Sequence, residues 1–356
     1  MSKEIRVGRH VIGSEHPTYF IADIAANHDG DIERAKALIH LCAEAGADAA
    51  KFQNFEAATI VSDVGFRQLG SQVSHQASWK RSVLEIYQEA SLPLAWTREL
   101  KTTCDEAGID YFTAPYDLGL IPQLSPFVCA WKLGSGDITW HEEIEALAQD
   151  GKPFFIATGA SEMEDVRMAM RVAMQHTNDL VLMQCNTNYT ASVENFRHIA
   201  LNVLKTYARE FPDAVLGLSD HTHGHTTVLG AVALGARVVE KHFTDNMGRE
   251  GPDHRFSMDP TSWRAMVGAT RELEAALGPH EKRVMDNEKE TVVIQRRALR
   301  AKRDLLPGHR IERDDLVALR PCPPDGVPPY RIAELLGHSI LREIESGDCV
   351  RLDDLR

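Results

Sequence analysis

The sequence predicts an α/β fold: a (β/α)8 TIM-type barrel followed by a small C-terminal β-rich module. Three observations point to it. A short β-rich run ending in polar residues, followed by a helical segment, recurs eight times. Three of these units, EAGADAAKFQ, EAGIDYFTAP and ALGARVVEKHF, keep one phase: a Gly at a helix end, then the strand, then the polar tip. After residue 277 the texture becomes charged, then short-stranded and Pro-rich. Eight β/α units over roughly 260 residues match a barrel. An open doubly wound sheet is the competing fold. It is disfavoured because no G-x-G-x-x-G follows the first strand and because polar tips recur in all the units.

Taken in order, the opening EIRVGRHVIG reads as two short strands around Gly8, a hairpin suited to plugging the bottom of a barrel. The eight barrel runs are expected at residues 19–24, 48–52, 110–115, 130–133, 153–157, 180–184, 214–218 and 238–241. The interval from 60 to 108 is longer than one helix needs, and residues 61–79 suit a substrate loop or lid. The domains are expected at 1–282 for the barrel, 283–297 for a linker and 298–356 for the β-rich module. In that module LLPGHRI and EIESGDCV each set a Gly turn between apolar residues. Its core is thin, so it is expected to lean on the barrel or on another subunit.

Bulk composition excludes several functions. The chain has 356 residues, 43% of them hydrophobic, and a net charge of -13. Nucleic acids and anionic membranes are poor partners for such a chain, because counterion release needs clustered Lys and Arg. The start, MSKEIRVGRH, lacks the apolar core of a signal peptide. No apolar run approaches the length that spans a bilayer. The six cysteines are scattered with no C-x-x-C pair, which fits reduced thiols in a cytoplasm.

Candidate chemistry lies at the strand tips, where barrels place their active sites. His221 and His242 follow adjacent strands, and imidazoles so placed can share one divalent ion. The alternative is a pair of hydrogen-bonding histidines. His223 and His225 lie just beyond and read as solvent-facing or as supports behind the site. Lys51 and Lys132 end otherwise buried strands, where an ammonium needs an anionic partner. A substrate phosphate or carboxylate would serve, and so would a barrel carboxylate. The turns GSG (134–136) and ATG (157–159) offer Ser135, Thr158 and free N–H groups to an anion. Asp23 and Asp137 sit at the tips of the first and fourth strands, as general bases or as partners of the lysines. Arg320, before a Pro-rich loop, presents a guanidinium suited to a substrate oxygen, or is a solvated surface residue.

Seven stretches together resemble the sialic acid synthase family, which makes N-acetylneuraminic, legionaminic and pseudaminic acids. They are ADIAANHDG, GADAAKFQ, KLGSGD, KPFFIATG, GLSDHT, EKHFT and GPDHRFSM, in family order across the barrel. The tail, with LRP at 319–321, is similar to the antifreeze-like (SAF) domain. The resemblance implies condensation of phosphoenolpyruvate with the open-chain aldehyde of an N-acyl hexosamine. N-acetylmannosamine or a 2,4-diacetamido relative is expected, giving a nine-carbon 2-keto acid and phosphate. It implies Mn²⁺ or Mg²⁺ on His221 and His242, and phosphoenolpyruvate on Lys51, Lys132, Ser135 and Ser219, with Thr158 in the adjoining turn. Gln53, Tyr189 and Asp253 would face the sugar. Arg320 would arrive from the partner of a domain-swapped homodimer. The chain departs from the family pattern by having Asp at 23 and 137 in place of Glu, and Ala at 114 and 157 in place of hydroxyl residues. A sugar-binding relative without turnover, or with altered specificity, is the rival reading.

Overall fold

A computed structural model of the chain describes residues 3–70, 76 and 79–356. It forms two compact units, Met1–Gly278 and Pro279–Arg356.

The first unit opens with β1 (Glu4–Val7) and β2 (His10–Gly13), paired antiparallel. Gly8 turns between them at φ +51°, and a Cβ there would lie 2.2 Å from an Asp110 carboxylate oxygen. Only glycine fits that turn. Ile5, Val7 and Ile12 are buried in the barrel's own core. His10 Nδ1 lies 2.8 Å from Asp110 Oδ2, and its Nε2 lies 3.6 Å from Asp48 Oδ1. Both aspartates sit where barrel strands begin, so the hairpin closes the N-terminal end, as expected.

Eight parallel strands then close on themselves: β3 (Tyr19–Asp23), β4 (Ala49–Gln53), β5 (Asp110–Ala114), β6 (Trp131–Leu133), β7 (Phe154–Ala157), β8 (Leu180–Cys185), β9 (Val215–Asp220) and β10 (Val238–His242). β10 pairs with β3 to complete the barrel. All residues of β3 and of β5 to β10 are buried, because helices cover one face and barrel packing the other. The eight runs lie where the sequence puts them, with one shift: Gln53, Cys185, Ser219, Asp220 and His242 are the last residues of their strands rather than loop residues. They therefore inherit the strands' rigidity and alternation.

The register fixes the site. His242 pairs with Asp23, Asp23 with Lys51, and Glu240 with Ser219. Side chains alternate across a strand, so Ser219, Glu240 and His242 face the barrel interior while Asp220 and Lys241 face the helices. Between β4 and β5 run helices Ala57–Ile60, Asp63–Gln68, Val83–Ala90 and Thr97–Ala107. The expected lid at 61–79 falls partly here; residues 71–75 and 77–78 of it lie outside the described residues.

The second unit holds β11 (Ala298–Ala301) and β12 (Leu316–Leu319), paired antiparallel around a small core that includes Leu305, Ile311, Ile340, Ile344 and Val350. Gly308 and Gly347, at φ +87° and +89°, make the two expected turns. Helix Lys289–Gln295 precedes β11 and buries none of its residues. Among the described residues no helix is long and apolar enough to cross a membrane.

Candidate active site

Ten of the thirteen predicted residues line one polar cavity at the C-terminal mouth of the barrel: Asp23, Lys51, Gln53, Lys132, Ser135, Asp137, Tyr189, Ser219, His221 and His242. Asp253 lines the adjoining outer cavity, which shares Gln53, Ile60, Tyr87, Tyr116, Tyr189 and His242 with it.

One predicted residue of the barrel unit does not face either cavity. The Thr158 hydroxyl donates to the Met183 carbonyl at 2.9 Å and accepts from Tyr207 Oη at 2.9 Å. It secures the turn after β7 instead of facing the cavity. Gly159 beside it is required: a Cβ there would lie 1.8 Å from Thr187 Oγ1. Its N–H donates to Ser135 Oγ at 2.9 Å, so the two small-residue turns brace each other. Arg320 follows β12 in the second unit, exposed.

The floor is a buried charge web. Lys51 Nζ lies 2.7 Å from Asp23 Oδ2 and 3.8 Å from Glu240 Oε2. Lys132 Nζ lies 3.5 Å from Glu240 Oε1, and Ser219 Oγ donates to that same oxygen at 3.1 Å. Gln53 Nε2 and the Ala25 N–H complete the bonding of Asp23 at 3.0 and 3.1 Å. Two ammonium groups thus face two carboxylates. Burial opposes the charge on Lys51, but Asp23 and Glu240 override it and raise its pKa. Lys132 goes the other way: burial, reinforced by Lys51, lowers it against the pull of Glu240.

Sequence reasoning missed Glu240. It was legible from alternation: if His242 faces inward at the end of β10, so does the residue two before it. The barrel-carboxylate alternative for the lysines is therefore present. Also missed was the pair behind the site, where Lys241 Nζ meets Asp220 Oδ2 at 2.5 Å and the Thr222 carbonyl at 2.6 Å. Thr222 and Thr227 hydroxyls donate to Asp220 at 2.8 and 2.7 Å. Burial would raise the Asp220 pKa, but Lys241 and these hydroxyls hold it below the ordinary value. The pair anchors the turn that carries His221.

The two histidines come together. Their ring centroids are 5.4 Å apart, with Tyr189 at 4.5 Å from His221 and Phe256 at 4.8 Å from His242. His221 Nδ1 contacts the Asn186 carbonyl at 3.1 Å; burial works against a charge on the ring, but the Cys185 thiol beside it raises its pKa. His242 Nδ1 is buried with no hydrogen-bond partner. Burial, with His221 and Lys51 nearby, drives the His242 pKa well below its ordinary value, so the ring is neutral. A neutral imidazole with an unused nitrogen beside a second imidazole fits a divalent cation. Among the described residues no group of three or more His, Cys, Asp or Glu forms a ligand set. A cation here would complete its shell with water or substrate oxygens.

The two aspartates named as catalytic differ in surroundings. Asp23 is fully bonded. The Asp137 carboxyl has no hydrogen bond or ion pair among the described residues, and burial lifts it to about 6 against the pull of Lys132. Asp253 is likewise raised to about 6, chiefly by burial and with Asp23 adding, while the Ala26 N–H opposes. A half-ionised, unpaired carboxyl in a cleft is what proton transfer requires.

Comparisons with known proteins agree with this fold. The NeuB family profile matches residues 38–282, and the SAF domain profile matches residues 296–356. The N,N'-diacetyllegionaminic acid synthase of Legionella pneumophila is 33% identical over 341 residues, 94% of each chain. The human N-acetylneuraminate-9-phosphate synthase is 30% identical over 348 residues, covering 98% of this chain and 95% of its own. Among solved structures, the N-acetylneuraminic acid synthetase of Leptospira borgpetersenii, in complex with citrate, superposes with a TM-score of 0.71. It is 25% identical and covers 82% of this chain and 96% of its own.

Proposed function

The chain belongs to the NeuB family of sialic acid synthases, and on that premise we propose that it condenses phosphoenolpyruvate with the open-chain aldehyde of an N-acyl hexosamine. The observation that carries this is the placement of two buried ammonium groups within one cavity of two imidazoles and an unpaired carboxyl. Phosphoenolpyruvate is a polyanion, and Lys51, Lys132, Ser135 and Ser219 are its partners in this reading. Its phosphate or carboxylate replaces Glu240 as the counter-ion of the lysines. Its C3 forms the new bond to the aldehyde carbon, whose oxygen takes a proton. Water then adds to C2, and the C2–O bond breaks to release phosphate and leave a 2-keto acid.

His221 and His242 would hold the divalent cation, Mn²⁺ or Mg²⁺. Bound there, it supplies Lewis acidity at the aldehyde oxygen and positive charge that the balanced lysine–carboxylate web lacks. Asp23, locked by Lys51 and Gln53, orients rather than transfers protons. Asp137 takes the proton from the attacking water. Gln53, Tyr189 and Asp253 contact the sugar.

The direct test is to incubate the protein with Mn²⁺, phosphoenolpyruvate and N-acetylmannosamine or its 2,4-diacetamido relatives, and to assay phosphate and 2-keto acid. Phosphoenolpyruvate left intact with every N-acyl hexosamine overturns the reading and leaves a sugar-binding relative without turnover.

The role of Asp137 predicts a pH profile. A base must be ionised, and its ionised fraction rises with pH, so kcat/KM should fall as pH drops through about 6. Asp137→Asn should lower kcat about a hundredfold or more and abolish that limb. An unchanged limb in the variant would assign it to another group. Because burial raises this carboxyl, ionising it opposes folding. Its small stability contribution is present at low pH and is lost as pH rises through about 6.

Arg320 is assigned to the N-acyl group, delivered as Arg320 of the partner subunit in a homodimer. Arg320→Ala should raise the sugar KM about tenfold, the size of one charge-assisted hydrogen bond. The phosphoenolpyruvate KM should hold, with light scattering reporting a dimer. A monomer with full activity would remove this assignment.

A further inference from the structure

Helix His141–Gln149, which follows β6, carries an acid where its packing calls for carbon. Its buried residues are Glu143, Ile144, Leu147 and Ala148, one stripe of the helix, and the last three belong to the barrel's core. Glu143 is 1% exposed, and its Oε2 has no hydrogen-bond partner. Glu142, beside it in the first turn, is exposed and supplies the negative charge that a helix N-terminus favours. The helix therefore does not need a second, inward acid, and burying one without a partner is unfavourable.

The backbone sets where this acid stands. The Asp137 carbonyl accepts from the Trp140 N–H at 2.8 Å, and the Trp140 carbonyl accepts from the Glu143 N–H at 3.1 Å. Two short turns thus lead from Asp137, which lines the polar cavity, to Glu143 behind it. The loop after β5 closes the other side. A Cβ on Gly134 would lie 2.6 Å from Tyr116 Oη, so glycine lets that loop pack on the turn that carries Asp137. Asp117 comes next on the loop. The charges that act on Glu143 are those of Asp137 and Asp117, and no Lys or Arg among the described residues offsets them. Burial first, then these two acids, push the Glu143 carboxyl up to about 8.

We infer that Glu143 is the positioning residue for Asp137: a carboxyl held neutral behind the base, so that the two acids together keep one proton while Asp137 is ionised. The inference rests on Asp137 as the acceptor of the water proton, proposed above. Like charges in one site do not readily coexist, and such a pair titrates in two steps that belong to both members. In the first step Asp137 gains the charge that a base needs. In the second, Glu143 loses its proton. A second negative charge then stands behind Asp137, at the wall of a cavity that must receive a polyanion, and it weakens the hold on phosphoenolpyruvate. Glu143 thus sets the upper limit of the working pH, as Asp137 sets the lower one.

The test is the pH profile of kcat/KM for phosphoenolpyruvate, with Mn²⁺ and N-acetylmannosamine or its 2,4-diacetamido relatives. The wild type should fall about tenfold between pH 7 and pH 9. Glu143→Gln, which cannot ionise, should keep the limb near pH 6 and lose that fall. Glu143→Leu extends the apolar stripe, serves where glutamine unsettles the helix, and should lose the same fall. A fall that persists in these variants, or a wild type that is flat above pH 7, overturns the inference while leaving the condensation intact. A second readout needs no turnover. A carboxyl whose folded-state pKa is raised adds stability at low pH and forfeits it as pH rises through that pKa. The wild-type unfolding constant in denaturant should therefore rise at least about tenfold relative to that of Glu143→Gln between pH 6 and pH 8. A constant ratio means that Glu143 is already ionised at pH 6 and overturns the inference whatever the assay gives. A rising ratio with phosphoenolpyruvate intact at every pH keeps the buried proton but removes the condensation, and the role toward Asp137 falls with it.

Discussion

His242→Ala is expected to abolish most turnover while the protein stays folded. The ring sits at the end of β10, opposite Asp23 in register, and its Nδ1 has no hydrogen-bond partner among the described residues, with Asp253 Oδ2 4.0 Å away. A buried ring nitrogen left open has a cost unless a ligand meets it. Its removal therefore breaks no short hydrogen bond, and the structural loss comprises ring contacts with Phe256, Tyr189 and His221 and the longer contacts of its nitrogens with Asp23 at 3.6 Å and Asp253 at 4.0 Å. That loss should be at most about 2–3 kcal/mol, in the lower range for large-to-small changes in a core. The functional loss should be far larger, at least about 10³ in kcat, since an aldehyde activated by a preorganised charge loses that activation. Two measurements separate the effects. Thermal melting should shift by a few degrees, and Mn²⁺ binding followed by electron paramagnetic resonance should weaken sharply. His221→Ala should behave alike in metal binding but cost more stability, because its ring also contacts the Asn186 carbonyl. Normal Mn²⁺ affinity and normal turnover in either variant would remove the cation from this site.

How much of this was readable beforehand depended on alternation and on chain distance. Eight strands and their order followed from local runs, because each β/α unit shows its own period and its own glycine stop. The tips were placed well because a barrel directs every strand end to one mouth, so Lys51, Lys132, His221 and His242 needed no pairing information. What escaped notice required knowing which strands are neighbours. Glu240 acts on Lys51 and Lys132, which stand on β4 and β6, while Ser219 reaches it from β9. Nothing local to EKHFT marks that carboxylate as the lysines' counter-ion. Thr158 was misplaced for a related reason. Its turn offers a hydroxyl, but the direction of that hydroxyl was decided by Tyr207, on a helix nearly fifty residues later. The outer cavity was least legible, since its apolar walls look in sequence like ordinary core.

The buried lysine provides the sharpest test of the charge web, with Lys51→Met as the probe. Methionine preserves most of the volume, so packing changes little. What remains is the buried pair of carboxylates Asp23 and Glu240, with Lys132 in contact with Glu240. Removing one member of a buried ion pair costs about 3–5 kcal/mol, because the other is left as an uncompensated charge. The variant should therefore be markedly less stable at pH 8. The penalty should also depend on pH in a direction that a packing defect would not produce. Without the ammonium, a buried carboxylate is left uncompensated. That penalty exists only while the carboxylates are ionised, so the deficit should shrink between pH 8 and pH 5. Adding Asp23→Asn removes the stranded charge by mutation, and the double variant should recover about 2 kcal/mol relative to the sum of the singles. Neither variant should regain turnover, since phosphoenolpyruvate loses its cationic partner in both. Denaturant unfolding of the four proteins at the two pH values decides it. A deficit that is equal at both, with additive singles, would mean that Lys51 contributes packing and not charge, and the electrostatic account of this barrel mouth would have to be rebuilt around Lys132 alone.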